Sequence, residues 1–339
     1  MGEIRIVRSL PDTVWDQFIG QNPFSSIFHA PEMFQVFARA EGYQPSLWAA
    51  VNQRGRPLCL LLPVQVNIFN GLFRQFTTRA IAYGSILWEP NKDGEEALAH
   101  LLKSYVRKVD GTPLFTELRN LVDLEDIQPI LRKQGFAYED HLNYLIDINL
   151  PSEAIFQNIG KRTRKNIRRA LNKGEVLIEE VKERERIAIC YELIRRTYHA
   201  VRVPLGSRSL FEAAFDVLYP KGMIRFVLAY VKGVPVATSV ELLYKDVIYG
   251  WYSGLDRNYS KYVPNELLMW DILQWGSRNG YRVYDFGGAG KPEEEYGVRD
   301  FKAKFGGELV CFGRNTNVHA PFRLRLSTLG YTVLRRFFS

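Results

Sequence analysis

Cysteine is scarce in this chain of 339 residues: Cys59, Cys190 and Cys311 stand far apart, each among apolar neighbours. Three separated thiols exclude a disulfide framework and a cysteine-rich metal site, and they fit a reducing compartment. Histidine is almost as rare, at five residues, and these form no metal-ligand spacing. His199 and His319 read as lone structural residues, so no metal is expected. No apolar run is long enough to cross a bilayer; the stretch 58–66 is short and carries Pro63 and Gln65. The opening residues, MGEIRIVRSL, lack the apolar centre of a signal peptide. Low-complexity tracts are missing too.

What is present is a large, basic, aromatic-rich chain. Hydrophobic residues make up 46% and aromatics 13%, ample for packed cores. The length exceeds that of a usual single core, which predicts two domains. The net charge of +8 and the pI near 9.3 favour an anionic partner: nucleic acid, a phosphate-bearing substrate or an anionic membrane surface. Strand and helix signals alternate in an order that recurs. A hairpin turning at Arg54-Gly55-Arg56-Pro57 is answered by one at Lys232-Gly233-Val234-Pro235, and each is followed by a helix, a glycine and a strand. This order reads as an internal duplication of a mixed α/β unit. After Thr116 the first half lacks the glycine cluster that the second half carries, which suggests one live site and one degenerate copy.

Two stretches carry the chemistry. Residues 160–174, GKRTRKNIRRALNKG, carry Ile167 and Leu171, which continue the helical spacing of the preceding Ile155 and Ile159, and leave seven cations on the remaining surface. Either this is a solvated helical face, or Arg162, Lys165 and Arg169 contact phosphate or an RNA backbone. Residues 284–307, YDFGGAGKPEEEYGVRDFKAKFGG, begin as a strand. Gly287, Gly288 and Gly290 then permit tight turns and close approach to a bound group. A lysine beside aromatic rings, as in Phe301-Lys302-Ala303-Lys304-Phe305, can be partly desolvated, so that its charge acts more strongly on a reacting carbonyl. The other reading is a surface loop of solvated ion pairs. Asp285 at the strand end is a site residue or a turn cap.

The two-half order, the RTRKNIRRA segment, and YDFGG followed by DFKAKFGGE resemble the FemABX family of peptidoglycan-bridge aminoacyltransferases, in the GNAT-like acyltransferase superfamily. The resemblance implies two tandem GNAT-like domains, each a mixed sheet flanked by helices. Residues 1–150 with 319–339 would form the first, and 151–318 the second, which carries the site. It implies that Lys302 acts at the attacked carbonyl and that Phe301 lies against the terminal adenosine of an aminoacyl-tRNA. It also implies a phosphate-bearing cell-wall precursor as acceptor, with Arg202, Arg208 and Tyr252 as matches near it; each of these is otherwise surface charge or sheet packing. No cofactor is implied, since the aminoacyl-tRNA is a co-substrate. The expected place is the cytoplasm, peripheral to the inner membrane face. The long helical arm of many relatives has no counterpart here.

Two other functions stay open. One is an N-acyltransferase using acetyl-CoA, another acyl-CoA or an acyl carrier; the stretch 257–265 that would cradle its pyrophosphate has no glycine and contains Pro264. The other is a non-enzymatic basic module. For it, Arg323, Arg325, Arg335 and Arg336, among Leu324, Leu326, Leu329, Leu334, Phe337 and Phe338, could lie on anionic lipid.

Overall fold

The computed structural model describes residues 3–67, 71–109 and 111–328. The basic tail beyond Thr328, with Leu329, Leu334, Arg335, Arg336, Phe337 and Phe338, lies outside the described residues. Among the described residues no helix is long and apolar enough to cross a membrane. The chain divides into two compact units, residues 1–140 with 312–339, and residues 141–311.

The first unit holds two sheets. Arg5–Val7, Trp48–Val51, Pro57–Leu61 and Ile86–Trp88 form one, in that order. The other runs Tyr43–Pro45, Val64–Val66, Arg79–Ala82, Phe115–Arg119, Arg314–Val318 and Ala137–Glu139. Helix Lys92–Lys108 buries Leu98, Leu101 and Leu102 in the core, and the Asn91 side chain caps it by accepting from the Gly94 N–H at 2.9 Å. Helix Asp12–Gln21 begins behind Pro11 and has Asp12 in its first turn.

The second unit is one seven-stranded sheet, ordered Val176–Glu180, Ile224–Val231, Val234–Tyr244, Val247–Leu255, Val283–Gly288, Leu142–Asp147 and Glu308–Cys311. Every pairing is antiparallel except that of Val247–Leu255 with Val283–Gly288. Two edges differ from expectation. Strand Leu142–Asp147, placed by sequence at the end of the first domain, pairs on both sides within the second sheet. Strand Arg314–Val318, placed in the second domain, pairs within the first unit. A strand's own residues show that it is a strand, not which partner completes its ladder.

Helices cover both faces of this sheet. Thr238 lies against Cys190 of helix Ile187–Ala200, while Ala237 packs with Leu268 of helix Pro264–Arg278. Successive strand residues point to opposite faces, so the two helices flank the sheet from opposite sides. The basic segment is a helix, Lys161–Lys173, ended by Gly174 in the left-handed conformation. It buries Thr163, Ile167 and Ala170, but Leu171 is exposed. Ile155 belongs to a separate helix, Ser152–Asn158, and Ile159 follows that helix as its cap. The expected apolar stripe therefore spans two helices broken at Gly160, and its far end turns to solvent.

Two features of the Val234–Tyr244 region tie down the sheet. A Cβ built on Gly254, opposite Thr238, would lie 2.5 Å from the Ile194 nitrogen and the Leu193 carbonyl carbon. The helix can rest on the sheet only because that side chain is missing. Glu241 is wholly buried. Ser239 Oγ donates to its Oε1, the Tyr284 hydroxyl lies beside the carboxyl, and Gly250 leaves room for that hydroxyl. Burial pushes the Glu241 carboxyl up to about 7, against the opposing pull of Ser239, Tyr284 and Arg225.

These features generate two expectations. Gly254→Ala should lower unfolding stability by about 1–3 kcal/mol in urea titration, because backbone on the facing helix cannot yield as a side chain would. An unchanged midpoint would contradict that close approach. Glu241 holds its proton in the folded state between its ordinary 4.5 and about 7, whereas the unfolded chain does not. Its contribution is therefore full below about pH 4.5 and lost as pH rises through 7. In Glu241→Gln this loss should vanish, so the variant gains on the parent between pH 5 and 8; parallel stability profiles would refute the buried acid.

Candidate active site

The site begins where two parallel strands stop pairing. Val247, Ile248 and Tyr249 pair with Val283, Tyr284 and Asp285, and no further. Beyond that point Val247–Leu255 stays paired to Val234–Tyr244, and Gly288 to Asn143 of Leu142–Asp147. A register shift after Val240 adds to the divergence. A wedge therefore opens between the strands at Gly250 and Phe286. A Cβ on Gly287 would lie 3.0 Å from the Tyr249 hydroxyl, and Gly287 has φ of 67°, a conformation costly for other residues.

Into this end reaches helix Gly297–Ala303. Lys302 is 6% exposed. Its Nζ donates to three consecutive backbone carbonyls: Phe286 at 2.6 Å, Gly287 at 3.2 Å and Gly288 at 2.8 Å. Arg299, one turn earlier, donates to the carbonyls of Ala289 at 2.9 Å, Pro292 at 3.3 Å and Lys291. One short helix thus holds six loop carbonyls between 286 and 292 with two cations, while that of Gly290 accepts from the Leu142 N–H at 2.9 Å. The space a side chain on Gly287 or Gly290 would need is taken by the Tyr249 hydroxyl and the Tyr296 ring, while the carbonyls of Phe286, Gly287 and Gly288 receive the chain's own lysine.

Asp285 is buried beside this ammonium and accepts the Gly287 N–H at 2.6 Å. Burial raises its carboxyl to about 6, while Gly287, Lys302 and Asn143 pull it down. Burial lowers Lys302 to about 8, and Asp285 pulls it back up. Burial thus pushes each group toward its neutral form, and their mutual attraction favours the ionised pair. Asp285 thus caps the turn at the strand end and, in addition, lies beside the lysine ammonium.

Phe301 is half-buried, and its ring meets Phe305 edge-on at 5.2 Å. The Lys304 ammonium lies 5.4 Å from the same ring. Tyr252 sits in a different cluster, 4.8 Å from Phe211 and 5.7 Å from Tyr198 between ring centres. That cluster approaches the loop through Tyr296, which interacts with Tyr198 and packs against Gly290. Arg208 is exposed and paired with Glu212 at 2.8 Å. Arg202 is exposed, just past a helix end, with φ of 54°. Neither arginine contacts the lysine cradle. Arg162, Lys165 and Arg169 are exposed on the basic helix, whose preceding Gly160 N–H donates to the Lys304 carbonyl at 2.8 Å.

Sequence reasoning missed Arg299, Asn143 and Tyr296. The one usable signal was Arg299 and Lys302 three residues apart, neighbours on one helical face. In the turn Arg257–Tyr262 several N–H groups are satisfied internally: Asn258 on Asp256 Oδ1, Tyr259 on the Asp256 carbonyl, and the following Val263 on Ser260.

A search of curated protein sequences finds no match. A family profile described as an acetyltransferase (GNAT) domain matches residues 161–302, from the first residue of the basic helix to Lys302. Among solved structures, FemX is similar over 95% of this chain and 99% of its own, with a TM-score of 0.71 at 14% identity. A tandem GNAT protein from the clavulanic acid biosynthesis pathway is similar over 94% and 99%, with a TM-score of 0.56 at 12% identity. The C-terminal domain of a putative lysylphosphatidylglycerol synthetase from Agrobacterium fabrum is similar over 94% of each chain, with a TM-score of 0.56 at 14% identity. At such identities the likeness concerns the fold. The chain has a tandem GNAT-like fold similar to that of FemX, and the GNAT domain profile falls on residues 161–302 of it.

Proposed function

We propose that this protein moves an aminoacyl group from the ester of an aminoacyl-tRNA to an amine of a phosphate-bearing cell-wall precursor. The observation that carries the reading is the buried Lys302 cation, set where two parallel strands part, in a fold similar to FemX. Attack of the amine on the ester carbonyl forms the C–N bond and a tetrahedral oxyanion. Collapse breaks the C–O bond to the ribose, whose oxygen takes up a proton as the amine loses one. A fixed cation in a water-poor site stabilises the oxyanion by a few kcal/mol. The longest Lys302 bond, to Gly287 at 3.2 Å, is the one to exchange for the oxyanion; the other two hold the ammonium in place. Asp285 positions the ammonium and keeps it charged. No general base is assigned, and the proton passes between the substrates or through water.

In this reading Phe301 offers its ring to the terminal base of the RNA. Gly287 and Gly288 line the reacting end. Arg202, Arg208 and Tyr252 serve the acceptor, Arg208 by leaving Glu212 for a phosphate. Arg162, Lys165 and Arg169 face the RNA backbone. The work takes place in the cytoplasm, peripheral to the inner membrane face. A second reading, transfer from acetyl-CoA without RNA, draws support from the acetyltransferase profile. The internally bonded turn at 257–262 weighs against it, because pyrophosphate needs free N–H groups.

The test is incubation with a mixed pool of charged tRNAs and precursor acceptors, read by mass. Labelled acceptor is expected, and none under any charging condition overturns the proposal. Lys302→Met should cut the rate by roughly 10²–10³ and also lower the thermal midpoint, since three backbone carbonyls lose this donor, two of them at buried residues. Lys302→Arg, which keeps the charge, separates the two effects. The parent's rate should fall as pH passes about 8 and Lys302 loses its proton, opposite to the rise expected from acceptor deprotonation alone. A several-degree thermal shift with acetyl-CoA would favour the second reading.

A further inference from the structure

At the far end of the basic helix lies an open pocket of about 340 Å³. Its wall carries Arg169, Lys173, Lys261, Glu175, Tyr262 and Val263, three cations against one carboxylate. Glu175 engages Lys173 at 3.7 Å with both side chains well exposed, a pairing that solvent largely screens. Arg169 and Lys261 are exposed and pair with no carboxylate among the described residues. The Tyr262 ring is half-buried. Val263 has φ of 61°, a left-handed conformation that a β-branched residue adopts only when its surroundings impose it. Here its N–H is held by Ser260, its carbonyl accepts from Leu267, and Pro264 follows at once. A strained residue, a ring and three cations thus converge on one cavity.

The cations of the helix lead to this cavity. Helix Lys161–Lys173 contains no acidic residue. Arg164 is occupied by the Gln157 carbonyl and Arg168 lies over the Phe156 ring. Arg162, Lys165 and Arg169 remain exposed without carboxylate partners among the described residues. The helix is about 20 Å long at 1.5 Å per residue, enough for several phosphates at about 3.4 Å per nucleotide of a duplex strand. It starts beside the lysine helix, because the Gly160 N–H is bonded to the Lys304 carbonyl, two residues past Lys302.

We infer that the pocket formed by Arg169, Lys173, Lys261 and Tyr262 is an RNA subsite, where the strand leading away from the reacting 3′ end seats its phosphates on the cations and stacks a base on the tyrosine. This rests on the aminoacyl-tRNA reading above and adds the path of the RNA. A row of cations joined to the reacting end fits a polyanion anchored there, which a free nucleotide or a flat lipid surface is not.

The experiment measures fluorescence polarisation of a labelled, uncharged RNA hairpin with a single-stranded 3′ CCA end. The full chain is compared with its Arg169→Glu/Lys173→Glu/Lys261→Glu variant and with Tyr262→Leu. Thermal midpoints check folding, since the three cations are exposed. The triple variant should bind the hairpin at least about tenfold more weakly at low salt. Its plot of log affinity against log salt should be shallower by about 2, as each lost phosphate contact removes roughly 0.7–0.9. A CCA trinucleotide, too short to reach the pocket, should bind parent and variant alike. Equal hairpin affinity and slope in both proteins overturns the inference. So does loss of uridine diphosphate or anionic-vesicle binding with hairpin binding intact. If the parent transfers from charged tRNA and the triple variant does so equally, only this inference falls; if the parent neither binds the hairpin nor transfers, the donor reading falls with it.

Discussion

The ammonium of Lys302 gives its protons to three successive carbonyls, those of Phe286, Gly287 and Gly288. Successive carbonyls of a regular strand point in alternate directions, so three cannot converge on one point unless the backbone leaves the strand. Gly287, with φ of 67°, makes that departure. The lysine and the glycine therefore require one another. Without the glycine the carbonyls would diverge; without the cation they would lose the donor they share. Arg299 extends the arrangement to Ala289, Lys291 and Pro292, so the loop takes its form from a helix only seven residues long.

The strand leading into this loop is gripped from both faces. Tyr284 and Asp285 are neighbours, so their side chains point to opposite sides. Tyr284 reaches Glu241, and Asp285 reaches Lys302. Close by, Arg225 is buried between Glu180 at 3.1 Å and Asp271 at 3.2 Å, with the Trp275 ring 4.5 Å from its guanidinium. Buried ionisable groups are costly unless paired, and replacing such groups with apolar ones is often neutral for stability. Their concentration around the parallel strand pair marks this as the part of the unit where charge and direction matter more than stability. Burial raises Glu241 to about 7 and lowers Lys302 to about 8, so the two faces of one strand meet groups poised near neutral pH.

Much of this was legible in the sequence, for reasons that differ by residue. The sheet strands of the second unit announce themselves as apolar runs bounded by Lys232-Gly233 and Lys245-Asp246 turns. The glycine cluster marks the strand end because few other residues tolerate a left-handed backbone there. Lys302 emerged from a resemblance, and burial gives it physical content. The helix that carries it did not emerge: GVRDFKA is short and polar and has no apolar period to detect. Its reason for being helical lies in the carbonyls it serves, which are remote in sequence. The sheet membership of Leu142–Asp147 and Arg314–Val318 was hidden for a similar reason, since pairing is decided by partners and not by the strand itself.

The basic helix shows what charge placement says when stability does not explain it. A helix favours acids in its first turn and bases in its last, because the backbone dipole is positive at the N-terminus. Helix Lys92–Lys108 obeys, with Asp93 and Glu95 at its start and Arg107 and Lys108 at its end. Helix Lys161–Lys173 opens on Lys161, Arg162 and Arg164 and has no acid in any turn. Its cations at successive turns repel one another as well as the dipole, at a few tenths of a kcal/mol for each i,i+4 pair. One chain thus contains a helix arranged for its own stability and another arranged against it. The second begins at a backbone hydrogen bond to the Lys304 carbonyl, so the unfavourable charge is mounted on the element next to the buried lysine. An anion arriving at that lysine would meet a surface whose self-repulsion it relieves, and the binding of the anion and the stability of the helix would then rise together.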